Sequence, residues 1–289
     1  MIDLAGIYLR RVTIAAMAAC CLTSVAISTP NPVHAATLLN GLGGATGYGE
    51  GELASNDDQS TGDRPLPFPI NFFGKVYNNF YVNNNGSISF GSPVGEFTPS
   101  AFPGAPAPII APYWADVDTT NQPGGGRVFF NLDDPSALVV TWSKVGYFSG
   151  NNDRLNDFQL VLNNRGGGDF DFEFRYAQLQ WTTGDLSGGT NGLGGTRAEA
   201  GYDAGNGVDY AVLPGSLSDD VLKLVETGNS PSGSPGLWQF RVKDGNPDIP
   251  TSQGVPGPLP FTGALTAFAW SRRVRMRVRN RCLPIAPAG

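Results

Sequence analysis

The chain has 289 residues, with 25 acidic and 19 basic side chains, a formal net charge of −6, one histidine and three cysteines. His34, Cys20, Cys21 and Cys282 all lie near the ends, which excludes from the body a Ser-His-Asp triad, a Cys-His pair and a zinc site of the usual His/Cys kind. Residues 37–250 hold 24 acidic against 11 basic side chains, a formal −13, and such a surface argues against nucleic acid, whose phosphates need clustered Lys and Arg.

At the amino end, Arg10 and Arg11 precede an apolar run from Val12 to Ile27, and Val33 and Ala35 stand at −3 and −1 of a signal-peptidase site. Residues 1–35 therefore read as a secretory signal peptide. Residues 36–64 read as a Gly-rich lead-in. Its GLGGATGYGEG (41–51) suggests a nucleotide loop, but no strand precedes it and no helix follows, so a flexible lead-in is the better reading. The body, without cysteine, must be held by its own core, and roughly 200 residues suffice to bury about 70% of the unfolded surface.

Short apolar or alternating runs punctuated by Gly and Pro predict strands at Ser87–Phe90, Arg127–Leu132, Ala137–Val145, Phe158–Leu162, Asp169–Tyr176, Arg197–Tyr202, Val208–Val212 and Leu237–Val242. In DFDFEFRY (169–176), Phe170, Phe172, Phe174 and Tyr176 face one way, and Asp169, Asp171, Glu173 and Arg175 the other. NNRGGG (163–168) before it reads as a hairpin turn, and the apolar start of ALVVTW (137–142) as a central strand covered on both faces. One short helix is expected near 217–227. Ser218 would cap it, Asp219 and Asp220 suit its first turn, Leu217, Val221, Leu224 and Val225 share a face, and Gly228 closes it. This pattern predicts an all-β fold, a β-sandwich of antiparallel strands with one short helix.

NFFGKVYNNFYVNNNGSISF (71–90), IIAPYWADVDTT, GGGRVFF, NDFQLVLNN, FRYAQLQWTTGD, AEAGYDAGNG and PGLWQFRV, spread over 65–243, together resemble the nidogen-like (NIDO) extracellular domain. The resemblance implies a non-catalytic module of matrix, mucin-type and tectorin-like proteins, adhesive or structural in role.

Within APYWADVDTT (111–120), Asp116 and Asp118 admit three readings. As strand-end residues two apart they project to one side and could ligate calcium, with further oxygens from Asn83–Asn85 or from Asp153 and Asp157. An EF-hand is excluded, because Asn121 and Arg127 would occupy its glycine and glutamate positions. A glycosidase-like acid pair is the second reading. The third, and favoured, is structural: Pro112 opens the segment, Tyr113 and Val117 fill core, Trp114 packs on the opposite face, and the carboxylates accept backbone N–H bonds that brace the next turn. The DFDFEF acids offer another cation ladder, and Trp142, Trp181 and Trp238 could stack on sugars, though core packing is the better reading. No other cofactor is expected.

After a linker (244–254), VPGPLPFTGALTAFAWSRRVRMRVR (255–279) resembles the PEP-CTERM sorting signals of bacteria, in a VPGPLP variant; it is taken as a sorting or anchor segment over 255–281, followed by an atypical tail, 282–289. The resemblance implies transient retention at the membrane and cleavage by an exosortase-type enzyme near Val255-Pro256. The apolar run of about 12 residues is shorter than the ~20 of a spanning helix. The expected protein is an exported surface or exopolysaccharide-associated adhesion module, whose partners are signal peptidase, the sorting enzyme and extracellular polysaccharide or surface proteins. The alternative is a carbohydrate-active protein, a lectin or a carboxylate-based glycoside hydrolase.

Overall fold

The computed structural model describes residues 35–121, 124 and 126–248. The expected signal peptide (except Ala35), most of the linker, the sorting segment and the tail lie outside the described residues. In chain order the strands are β1 (Gly51–Leu53), β2 (Arg64–Phe72), β3 (Lys75–Asn83), β4 (Ser87–Ser89), β5 (Ile109–Trp114), β6 (Val117–Asp118), β7 (Arg127–Asn131), β8 (Ala137–Tyr147), β9 (Asn151–Gly166), β10 (Asp169–Gln178), β11 (Gly189–Thr190), β12 (Leu193–Gly194), β13 (Glu199–Asp203), β14 (Tyr210–Val212), β15 (Leu237–Lys243) and β16 (Asn246–Pro247).

They build a β-sandwich. One sheet runs β1-β7-β8-β9-β10-β15-β16, with β6 also on β8; the other runs β14-β13-β5-β4-β3-β2, and every pairing is antiparallel. Leu138, Val140 and Trp142 of β8, Phe158, Leu160 and Leu162 of β9, and Phe170, Phe172, Phe174 and Tyr176 of β10 alternate into the shared core. Phe72, Val82, Ile88, Ile110, Tyr113 and Tyr202 meet them from the facing sheet. The register read from DFDFEFRY holds: Phe172 stacks on Phe240 of β15 with ring centroids 4.5 Å apart, and Tyr202 meets both rings edge-on. Gly166, Gly167 and Gly168 all take positive φ at the β9–β10 hairpin, a conformation that side chains resist.

Part of each outward face is covered too, by a segment without long strands, while Gln239, Arg241 and Lys243 of β15 stay exposed. Over the larger sheet lies the Gly-rich lead-in, which is docked rather than flexible. The Gln159 side chain accepts from the Leu39 amide at 2.9 Å and donates to its carbonyl at 3.0 Å, the Ala36 amide reaches the Tyr176 carbonyl, and Asn131 holds the Leu42 carbonyl at 2.7 Å. This cover explains why Val139, Thr141, Gln159 and Val161 are buried although they point away from the main core. β8 is thus central and covered on both faces, as its apolar start predicts. Over the smaller sheet the loop 91–108 encloses a second core of Val94, Phe102, Ala107, Ile109, Ala111 and Trp114.

Several elements differ from expectation. β9 extends well beyond Phe158–Leu162, because its polar start and end pair with β8 and β10 while burying little apolar surface. β2, β3 and β5 lack clean sequence signals. Prolines at 65, 67 and 69 stud β2, paired asparagines interrupt β3, and Pro112 lies inside β5 rather than opening it, at a register irregularity against β13. β2 forms one edge of the smaller sheet and turns Pro65 and Pro69 to solvent while Phe68, Ile70 and Phe72 face inward; β14 forms the other edge, with Tyr210 and Val212 exposed. The short helix is a 3-10 helix, Asp219–Val225, capped by Ser218, whose hydroxyl accepts from the Asp220 amide at 3.3 Å. Its buried pair Val221 and Leu224 has the three-residue spacing of that helix, and it closes at Glu226 before Gly228 is reached. The first linker residues also belong to the sandwich, through β16 and the bond from the Tyr202 hydroxyl to the Asp248 carbonyl.

Candidate metal centre

APYWADVDTT spans a sheet switch. β5 belongs to the smaller sheet, and after a bend at Ala115–Asp116 the chain enters the larger one as β6, where Val117 pairs with Tyr147 and Asp118 with Gly146. Tyr113 points into the main core and its hydroxyl donates to the Trp181 carbonyl at 2.7 Å; Val117 joins the same core. Trp114 faces the other way, into the second core, stacking with Phe102 and donating from Nε1 to the Glu96 carbonyl at 2.6 Å.

The two aspartates have different surroundings. Asp118 is a brace, as the structural reading expects. Its Oδ1 accepts from the Thr120 amide at 2.8 Å and hydroxyl at 2.5 Å, and its Oδ2 from the Gly150 amide at 2.6 Å. Asp116 is 2% exposed, and its buried Oδ2 has no hydrogen-bond partner among the described residues. A carboxylate oxygen from each of Asp57, Asp58 and Asp116 lies within 4.8 Å of the others. The sequence pairs Asp116 with Asp118; the fold groups Asp116 with Asp57 and Asp58.

This grouping is built by the asparagines after β3. Asn84 Nδ2 donates to the carbonyls of Val117 at 2.5 Å, Asn56 at 3.3 Å and Asp57, tying the 54–60 loop to the switch. Asn85 accepts the Val117 amide at 3.0 Å and donates to Asp58 at 2.9 Å. Asn56 and Thr119 exchange backbone and hydroxyl bonds of 2.8–3.0 Å. Gly184 packs against the unpartnered oxygen so closely that a Cβ there would fall 2.2 Å from Asp116 Oδ2. Burial first, then the charges of Asp57, Asp58, Asp118 and Asp185, push the Asp116 carboxyl up to about 8. Burial, Asp58 and Asp118 raise Asp57 to about 6. Among the described residues, every charge that shifts these two groups is negative.

The family model of the nidogen-like domain matches residues 78–137 and 130–244, which spans both sheets. The chain belongs to the nidogen-like domain family. It is similar to mouse alpha-tectorin, 36% identical over 214 residues, covering 64% of this chain and 10% of the relative. It is 34% identical over 215 residues to Drosophila melanogaster nidogen, covering 66% and 16%, and 27% identical over 204 residues to the Caenorhabditis elegans dendrite extension defective protein 1, covering 62% and 16%. The chain thus spans a small part of the length of these relatives. No solved structure matches it.

Elsewhere in the nidogen-like domain the other candidate positions serve as structure. The DFDFEF ladder is compensated by cations and amides: Asp171 meets Arg165 at 2.6 Å and Arg241 at 3.7 Å, while Glu173 meets Arg175 at 3.1 Å and Gln239 at 3.2 Å. Trp114, Trp142, Trp181 and Trp238 are all buried, so none offers a ring face to a sugar. Asp153 accepts from the Tyr147 hydroxyl at 2.8 Å, and neither it nor Asp157 joins the acidic group. Two further buried acids escaped the sequence reading. Asp203 accepts from the amides of Ala105 at 3.0 Å and Gly205 at 2.7 Å. Glu199 faces the Phe102 amide at 3.4 Å, and burial pushes its carboxyl up to about 7 against the effect of that amide.

Proposed function

We propose that this nidogen-like domain is exported and acts outside the cell as a non-catalytic structural or adhesion module. Membership of the family of alpha-tectorin and nidogen, across both sheets, carries the reading. In the finer reading the protein is a bacterial surface or exopolysaccharide-associated module. Its signal peptide is removed by signal peptidase, and an exosortase-type enzyme cleaves the sorting segment near Val255.

The test exposes the purified full chain to glycan and matrix-protein arrays and then assays the bound glycans for new reducing ends. Retention of a polysaccharide or matrix ligand with no new reducing ends is the expected outcome; turnover of a glycan would overturn it in favour of a hydrolase. For the finer reading, mass spectrometry of the cell-surface form should find an end near residue 255. An intact Arg272–Arg279 peptide would refute processing.

A further inference from the structure

We propose that Asp57, Asp58 and Asp116 form a calcium site that ties the 54–60 loop to the point where the chain passes between the two sheets. Three acids close together are by themselves only an acidic patch. The buried, unpartnered Oδ2 of Asp116 makes this group different. A carboxylate oxygen taken from water needs a donor, a cation or a proton, and a cation can displace the proton that burial otherwise retains. Asp57 also has a buried oxygen without a hydrogen-bond partner, Oδ1. Among the described residues no lysine or arginine is a cause of the shift at Asp116, whereas four carboxylates are. The packing of Gly184 on Asp116 Oδ2 limits how far that side chain can turn away from its neighbours.

The donor set selects the ion. Residues 35–248 contain neither histidine nor cysteine, so only oxygen ligands are on offer, which suits a hard cation. Calcium holds oxygens at about 2.3–2.6 Å in irregular shells, so it accepts carboxylate oxygens up to roughly 5 Å apart. The 4.8 Å limit on this group satisfies that condition. Magnesium asks for a near-ideal octahedron at about 2.0–2.1 Å and keeps its waters, a poor match to one buried acid and two more exposed ones. Asp57 and Asp58 leave solvent access for water ligands and for entry of the ion. Asp118 is outside the set, because Thr120 and Gly150 already occupy both its oxygens.

Calorimetric titration of calcium chloride into the full chain in about 0.15 M salt, where diffuse attraction is screened beyond about 8 Å, tests the site directly. One saturable ion per chain is expected, with a dissociation constant near the roughly 10⁻⁴–10⁻³ M of extracellular modules. At 100 times that concentration Tm should rise by about 5–10 °C. Asp116→Asn and Asp58→Asn should each weaken binding at least about tenfold, and Asp171→Asn, in the arginine-compensated ladder, should leave it unchanged. Should Asp116→Asn fail to fold, the more exposed Asp58→Asn decides. Non-saturable binding, equal binding by Asp58→Asn, or an equal response to magnesium would overturn the proposal. None of these outcomes bears on adhesion, which the arrays test separately.

Discussion

Buried carboxylates occur in two regions of this domain, and the regions solve the same problem differently. Under the 91–108 loop, Asp203 meets two amides, one of them from the loop, while Glu199 meets one at 3.4 Å and has a buried Oε2 without a partner among the described residues. At the sheet switch, Asp116 has the carboxylates of Asp57 and Asp58 near it and the bare backbone of Gly184 packed on its Oδ2. An acid surrounded by donors is part of the scaffold, whereas an acid surrounded by acids is half of an interaction whose other half is positive. The contrast gives burial its meaning, since Asp203 and Asp116 are about equally withdrawn from water.

The comparison breaks most severely at Trp114, which lies between the regions. Its ring fills the second core while the chain turns two residues later into Asp116. Trp114→Ala should cost about 3–5 kcal/mol of stability by denaturant unfolding. Limited proteolysis should then cut first within 91–108, because the ring and its bond to Glu96 hold that loop down. Parent-like protease resistance would show that the loop is held by something else.

A smaller effect separates the acids by pH. The carboxyl of Glu199 is raised in the folded state from an ordinary 4.5 to about 7, so the folded chain holds this proton more tightly than the unfolded chain. Its contribution is full below about pH 4.5 and is lost as pH rises through 7. Glu199→Gln, a permanent mimic of the protonated form, should match the parent at pH 4 and exceed it by about 1–3 kcal/mol at pH 8. Parallel stability curves across that window would remove Glu199 from the account.

The smallest expected change sharpens the distinction within APYWADVDTT itself. Asp118→Asn keeps one acceptor oxygen but replaces the other with a donor, and should cost about 1 kcal/mol. Its calcium titration should still show one site, shifted in affinity by the loss of a neighbouring charge. Loss of the site would put Asp118 among the ligands and restore the pairing read from the sequence.

How far the sequence reaches depends on whether the signal is periodic or positional. The phenylalanines of 169–176 alternate because a pleated strand alternates, so their register and burial are legible without a structure. β2 and β3 escape because prolines and asparagines imitate turns, although here they sit in paired strands. Asp116 is legible as an unusual acid in an apolar stretch. Its companions are not: Asp57 and Asp58 lie in SNDDQS, a run with no period, and only the bonds of Asn84 and Asn85 bring that run beneath the switch. The available hint was the asparagine triplet 83–85, read at first as a source of ligands, which instead serves as the clamp.

The prolines of β2 have one more consequence. A strand at a sheet margin is a template on which a second chain can add itself, and crowded extracellular material offers many such chains. Pro65, Pro67 and Pro69 remove three amide hydrogens from that margin, so an incoming strand finds gaps where a ladder would need donors. The opposite margin, β14, is only three residues long, too short to template much despite its exposed Tyr210 and Val212. Copies of this domain can therefore be packed densely without their smaller sheets fusing edge to edge into fibrils.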